Sequence, residues 1–269
     1  MKNTTQIYAY KARKHAITGI YNAAAGHPGG SLSIADILAV LYFEKMNIDP
    51  ENPKMADRDR FVLSKGHCAP ALYGILAERG FFPVEQCATL RKIDSIMQGH
   101  PDMKHIPGVD MSTGSLGQGI SAACGMALSA KLDKKDFKVY TILGDGEIEE
   151  GQVWEAAMFA AHYKLDNLIA FVDNNGLQID GDIAEVMSSY PIDKKFEAFN
   201  WNVITIDAHD YDQIRDAIDK ALVPNGKPTV IIAKSVKGKG VSFMENQASW
   251  HGSAPNAEQY AVAINDLKA

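Results

Sequence analysis

Two short stretches carry residue types suited to holding a metal ion. Gly144-Asp145-Gly146 closes one apolar run, and Asp173-Asn174-Asn175-Gly176 closes the next. Asp145 offers a carboxylate oxygen and Asn175 an amide oxygen. A backbone carbonyl just past the bend, such as that of Leu177, offers a third. Three oxygens on one face of an octahedron suit magnesium, with the other positions left to water and diphosphate oxygens, and calcium or manganese can substitute. A diphosphate approaching a chain of net charge −6 needs that neutralisation. Gly144 and Gly146 lack a Cβ, so the backbone there can come close to phosphate oxygens. Taken singly, Gly-Asp-Gly is a helix start and Asn-Gly a turn. At the ends of successive strands, the pair reads as a clasp.

The histidines form a second pattern. Four of the eight, His27, His67, His100 and His251, stand beside a glycine. One such pair is ordinarily a turn or a structural histidine, but four of them, all in loops or near strand ends, point to a site. Neutral imidazoles can accept and return protons near pH 7 and can hydrogen-bond hydroxyl groups.

The elements that must position these residues follow from the apolar pattern. Helices are expected over Tyr8–Ala25, Ile34–Lys45 with Ser33 as cap, Pro70–Glu78, Val153–Tyr163, Asp193–Phe199, Tyr211–Leu222 and Ala257–Leu267, and the glycine-rich turn Ser112–Gly119 opens another that runs to Leu132. Gly26-His27-Pro28-Gly29-Gly30 breaks the first of them. Strands are expected over Phe61–Ser64, Lys138–Leu143, Leu168–Val172, Trp201–Ile206 and Thr229–Ala233. Strand and helix alternate with short connections. The expected class is therefore α/β: a doubly wound, mostly parallel sheet with helices on both faces. A right-handed crossover through Val153–Tyr163 sets the two clasp strands side by side, and ligands of such folds bind outside the carboxyl ends of the strands.

Composition narrows the classes. The 269 residues are 46% hydrophobic and 22% charged, with no linker, repeat or low-complexity tract, which suits one domain spanning 1–269. Dispersed charges of both signs exclude a basic nucleic-acid face. Lys234–Lys239, with three lysines among glycines, reads as a solvated loop rather than a phosphate site. Cys68, Cys87 and Cys124 have no paired or metal-type spacing and read as small buried residues. Met1–Tyr10 is polar, without a signal-peptide core, and no apolar run is long enough to span a bilayer, so a cytoplasmic location is expected. The run Glu147–Glu150 suits the electronegative start of a helix.

The clasp stretch resembles the thiamine diphosphate motif. With it, Gly26-His27-Pro28-Gly29-Gly30, Ser64-Lys65-Gly66-His67, Gly99-His100-Pro101, Thr113-Gly114-Ser115-Leu116-Gly117-Gln118-Gly119 and Trp250-His251-Gly252 resemble transketolase, in the family's order and across almost the whole chain. Arg91–Gln98 departs from the family pattern. The resemblance is to the first of three transketolase domains, the one that binds the diphosphate, and in extent to the N-terminal subunit of a split, two-chain enzyme.

That resemblance implies a set of roles. Asp145, Asn175 and the Leu177 carbonyl would bind the metal. Gly144, Gly146 and His67 would meet the diphosphate, and Gly114 and Leu116 the cofactor rings. His27, His100 and His251 would line the substrate channel as catalytic groups. Glu150 would join a carboxylate network linking two cofactor sites. The implied reaction moves a two-carbon ketol unit from a ketose, commonly phosphorylated, to an aldose. The implied partner is a C-terminal subunit with a pyrimidine-binding domain, which supplies an essential glutamate, in an assembly with two copies of each chain (α2β2). Branched or sulfonated sugars as substrates, or a non-catalytic cofactor-binding or scaffolding subunit, are the alternatives.

Overall fold

In a computed structural model, residues 4–268 are described. The first residues of the polar Met1–Tyr10 stretch, and Ala269, lie outside them. In chain order the elements begin with helices α1 (Thr4–Ala23), α2 (Pro28–Ser33) and α3 (Ala35–Val40), the last closed by a wide turn over Leu41–Lys45. Strand β1 (Arg60–Leu63), helices α4 (Ala69–Arg79) and α5 (Gly119–Leu132), strand β2 (Val139–Gly144), helix α6 (Gly151–His162) and strand β3 (Leu168–Asn174) follow. Next come the two-residue strands β4 (Leu177–Gln178) and β5 (Gly181–Asp182), and helices α7 (Ile183–Val186) and α8 (Ile192–Ala198). The chain ends with β6 (Asn202–Asp207), α9 (Tyr211–Ala221), β7 (Thr229–Lys234) and α10 (Ala257–Asp266).

Five strands form one sheet in the order β1-β2-β3-β7-β6, and every pairing is parallel. Such sheets are covered on both faces, which makes their strands continuously apolar. β2 is buried throughout, and β3 up to its last residue. Alternate residues then feed two separate cores. Tyr140, Ile142, Ile169, Phe171 and Ile231 pack with α1, α3, α4 and α9. Val139, Leu143, Leu168, Ala170, Val172 and Val230 pack with α5, α6 and α8. The doubly wound α/β expectation holds. Among the described residues no helix is long and apolar enough to cross a membrane.

Local chemistry sets the ends of the elements. Asp210 caps α9 by accepting from the Asp212 and Gln213 amides, and Asn256 with Gln259 forms a capping box at α10. The expected cap at Ser33 is not one. Its hydroxyl is buried, 2.9 Å from the Gly30 carbonyl, and gives its one proton to the Asp173 carboxylate at 2.7 Å. The helical path instead begins at Pro28, whose ring suits a first turn because no N–H is needed there.

Three of these facts matter for the site. The register pairs Gly144 with Asp173, so the two clasp stretches emerge side by side. β7 runs on the other flank of β3, pairing Asn174 with Lys234. All three ends point the same way, because the sheet is parallel. Cys68, Cys87 and Cys124 are free and buried, as expected.

Candidate active site

Every residue expected at the site, except Glu150, lines one cavity of about 280 Å³ at these strand ends. Glu150 is exposed and stands outside the lining. A larger hollow of about 580 Å³ lies elsewhere, but its lysines face Asp57, Asp59 and Asp136 and no comparable group of reactive side chains meets there.

Asp145 is buried and fixed by three donors. The Gly146 amide reaches Oδ1 at 3.0 Å, while the Gly176 amide at 2.7 Å and Asn174 Nδ2 at 3.0 Å reach Oδ2. Burial, and then the charge of neighbouring Asp173, raises its pKa to about 6. Asp145 forms no salt bridge among the described residues, so it is a carboxylate that a cation would stabilise. Asn175 Nδ2 donates to Asp173 at 3.1 Å, which assigns the opposite atom, Oδ1, as the oxygen available for ligation. Oδ1 accepts from the Leu177 amide at 3.1 Å. The Leu177 carbonyl accepts from Lys237 Nζ at 3.1 Å. Carboxylate, amide and carbonyl oxygens line one cavity, a hard donor set suited to magnesium. The set is mixed, and among the described residues no cluster of three or more histidine, cysteine or acidic side chains forms a metal site.

The space for a diphosphate is shaped by glycine and flanked by cations. A Cβ added at Gly144 would meet no atom closer than 3.8 Å, because it would project into the cavity. Lys65 and Lys237, each 2% exposed, line the same space. The residues present therefore fit both a divalent cation and a diphosphate.

The four glycine-flanked histidines do converge. Ring centroids lie 5.2 Å apart for His27–His67, 5.4 Å for His27–His251, 5.2 Å for His67–His251 and 6.3 Å for His27–His100. Burial, followed by nearby rings and cations, lowers the pKa of His27 to about 4 and of His251 to about 3. His67 is pushed well below its usual value by burial and Lys65, and His100 is lowered by burial and Arg91. The cluster is thus neutral at physiological pH. Lys237 Nζ donates to His251 Nδ1 at 3.1 Å, which leaves Nε2 carrying the ring proton.

Several site residues escape sequence reasoning. Lys237 is the clearest correction, since it lies in the run expected to be a solvated loop yet is buried in the cavity wall. Its loop is pinned by bonds from the Val236 amide to His209 Nε2, from the Gly238 amide to the Gly29 carbonyl, and from the Ser235 hydroxyl to Asp173. Lys65, inside a stretch quoted for its histidine, forms a buried ion pair with Asp173. Glu147 is not merely the start of a helix. Its carboxylate accepts from the Ser64 hydroxyl at 2.5 Å and from the Gly117 and Gly144 amides at 3.0 Å each, tying three loops together. The only signal for these groups was a charge inserted beside a glycine in an apolar setting.

Comparison with known proteins decides the family. Residues 4–267 match the family described as transketolase, thiamine diphosphate binding domain. The chain belongs to the transketolase family. A 6-deoxy-6-sulfo-D-fructose transketolase subunit of Clostridium sp. (strain MSTE9) is 48% identical over 95% of this chain and 93% of its own length. An apulose-4-phosphate transketolase subunit of Phocaeicola vulgatus is 44% identical over 98% of this chain and 94% of its own. Transketolase of Homo sapiens is 45% identical over 91% of this chain but only 39% of its own. Among solved structures, a Pichia stipitis transketolase mutant superposes with a TM-score of 0.93 at 32% identity, covering 99% of this chain and 41% of that one. The chain thus spans about two fifths of the solved transketolase and nearly all of the two named subunits. Its fold is that of a thiamine diphosphate-binding transketolase domain.

Proposed function

We propose that the chain is the diphosphate-holding N-terminal subunit of a two-chain transketolase, acting in the cytoplasm as one domain over 1–269. The observation that carries this reading is the single cavity into which the metal-type oxygens, two buried lysines and four neutral histidines all open. In it, Asp145, Asn175 Oδ1 and the Leu177 carbonyl hold magnesium, with calcium or manganese as substitutes. Gly144, Gly146, His67, Lys65 and Lys237 hold the diphosphate. Gly114 and Leu116 lie against the rings.

Thiamine diphosphate, when bound, supplies the carbon nucleophile for ketol transfer. The chain's own residues position the sugar and move protons. His27 and His100, being neutral, can accept the proton of a donor hydroxyl, while His251 can hydrogen-bond the sugar and give a proton to an acceptor carbonyl oxygen. The Nε2–H tautomer of His251 makes it a donor toward the cavity. Glu150, on the surface beside Gly117, is suited to a carboxylate network that continues into a partner chain. The glutamate that acts on the aminopyrimidine comes from that partner, a pyrimidine-binding subunit, in an α2β2 assembly.

The substrates are a ketose donor and an aldose acceptor. Two relatives of matching length are named for 6-deoxy-6-sulfo-D-fructose and apulose 4-phosphate, which favours an anionic and unusual sugar over a common one. The test is an assay of the purified chain alone and with a pyrimidine-binding subunit, in thiamine diphosphate and magnesium, against a sugar panel. The pair is expected to transfer ketol units and the chain alone to be inactive. Robust turnover by the chain alone would overturn the two-chain reading.

A further inference from the structure

Lys237 reaches the cavity from a loop, and that loop is held from outside the cavity by His209, in the turn between β6 and α9. The two ring nitrogens of His209 do opposite things. Nε2 accepts from the Val236 amide at 3.0 Å, so it carries a lone pair. The ring proton therefore sits on Nδ1, which donates to Asp36 Oδ2 at 2.8 Å.

Asp36 makes that tautomer obligatory. It is buried, and its carboxylate takes four donors. Arg13 Nη1 and the Tyr211 hydroxyl reach Oδ1 at 3.0 and 2.6 Å, while Arg13 Nη2 joins His209 at Oδ2, at 2.5 Å. Burial by itself raises the Asp36 pKa, but the Arg13 charge and the hydrogen bonds from His209, Arg13 and Tyr211 hold it well below the usual carboxylate range. An ionised carboxylate has no proton to give, so His209 must supply one, and its lone pair is left facing the Val236 amide. One residue further on, Lys237 runs past Gly29, where a Cβ would sit 3.0 Å from its Cγ and 3.1 Å from its Cε. Its Nζ then meets the Leu177 carbonyl and His251 Nδ1 at 3.1 Å each. Arg13 comes from α1, Asp36 from α3 and Tyr211 from α9, so three helices outside the cavity are tied through one imidazole to a lysine inside it.

We infer that His209 is a positioning residue, which aims Lys237 into the cavity by accepting the Val236 amide, and that Asp36 sets the tautomer this requires. The consequence for diphosphate binding rests on the proposed function, in which Lys237 holds the diphosphate. The aiming of Lys237 does not.

Three measurements on the isolated full chain test it. A long-range proton–nitrogen correlation spectrum of the His209 ring is expected to show the Nδ1–H form, and the Nε2–H form overturns the inference without any variant. Acylation by acetic anhydride, read by mass spectrometry against exposed Lys164, reports how well Lys237 is held. His209→Asn keeps a donor toward Asp36 but places no acceptor at the Val236 amide, and His209→Phe keeps only the bulk. Both are expected to label Lys237 about fivefold faster than the parent, the worth of one backbone hydrogen bond. His209→Gln, whose amide oxygen reaches the Nε2 position, should stay near the parent rate. Lys65, held in the same cavity by its own pair with Asp173, should not change in any variant. An Asn variant that labels like the parent, a Gln variant that labels like Phe, or equal unmasking of Lys65 overturns the assignment. Magnesium pyrophosphate, titrated by calorimetry, is expected to bind about fivefold more weakly in His209→Asn and more weakly still in Lys237→Met. If Lys237→Met binds pyrophosphate as well as the parent while His209→Asn still unmasks Lys237, the aiming stands and the diphosphate role of Lys237 falls.

Discussion

At the scale of single residues, the site depends on groups held in the right protonation state. The lowered values of His27 and His251 fix a sign for pH dependence. Unfolded imidazoles titrate near 6.5, whereas folded His27 and His251 titrate near 4 and 3. Between those limits the unfolded chain binds more protons, so the stability these groups confer is present above pH 6.5 and is lost as pH falls. The urea midpoint of the cofactor-free chain should fall on acidification through that window, and His27→Gln or His251→Gln should flatten the fall. A midpoint equally steep in both variants would refute the assignment. Asp145 yields a second prediction. Asp145→Asn removes the one charged ligand of the proposed set, and metal affinity should drop by more than about 100-fold, since even outer partners of metal ligands are worth 10- to 100-fold. Manganese paramagnetic resonance on this chain reads that loss without any turnover. Asp145, Asn175 and the histidines were legible in the sequence because a type and a neighbouring glycine announced them. Lys237 was not, since a lysine among glycines looks the same in sequence whether it is solvated or buried in a cavity wall.

At the scale of elements, Asp173 is the point where four segments meet. Ser33, Lys65, Asn175 and Ser235 all donate to its fully buried carboxylate. They come from the α2–α3 junction and from the ends of β1, β3 and β7. Removing one partner of a buried ion pair leaves an uncompensated charge. Asp173→Ala should therefore destabilise the chain by about 3–5 kcal/mol, while Asp173→Ala combined with Lys65→Met should recover much of that. Urea unfolding of the single and double variants checks it, and a double variant as unstable as the single would defeat the argument. A close approach yields a further prediction. A Cβ at Gly119 would lie 2.6 Å from Ser64 Cα, so Gly119→Ala should push α5 away from the end of β1. The cost should be about 1–3 kcal/mol, with weaker cofactor binding by calorimetry. The five main strands and the long helices could be read from the sequence; for the central strands β2, β3 and β7 the reason is burial on both faces, which gives unbroken apolar runs. α2 could not, because Pro28-Gly29-Gly30 looks like a breaker until Pro28 is seen to start a helix. The small hairpin of β4 and β5 was hidden too, its polar residues giving no periodicity.

At the scale of the whole molecule, the cavity wall and the segment that follows it in the chain expose large apolar side chains. Leu116, Ile179 and Met187 are 37%, 67% and 63% exposed, and Leu116 and Ile179 also line the cavity. A pyrimidine-binding partner that completes the site should cover them. Amide hydrogen exchange across residues 176–187 should slow on adding that partner, and exchange at α9, on the far side of the sheet from α5 and α6, should not. Uniform slowing would point to general tightening rather than docking. The three thiols serve a different purpose. Burial raises Cys68 to about 11 and Cys87 and Cys124 to about 12, so none presents a thiolate while the fold is closed. Cys68 lies behind the lysine floor of the cavity, Cys87 in the layer beneath α1, and Cys124 between α5 and α6. Alkylation can therefore proceed only when one of these regions opens. The chain carries three internal clocks, each timing the breathing of a separate region, and cofactor loading should slow the first of them most.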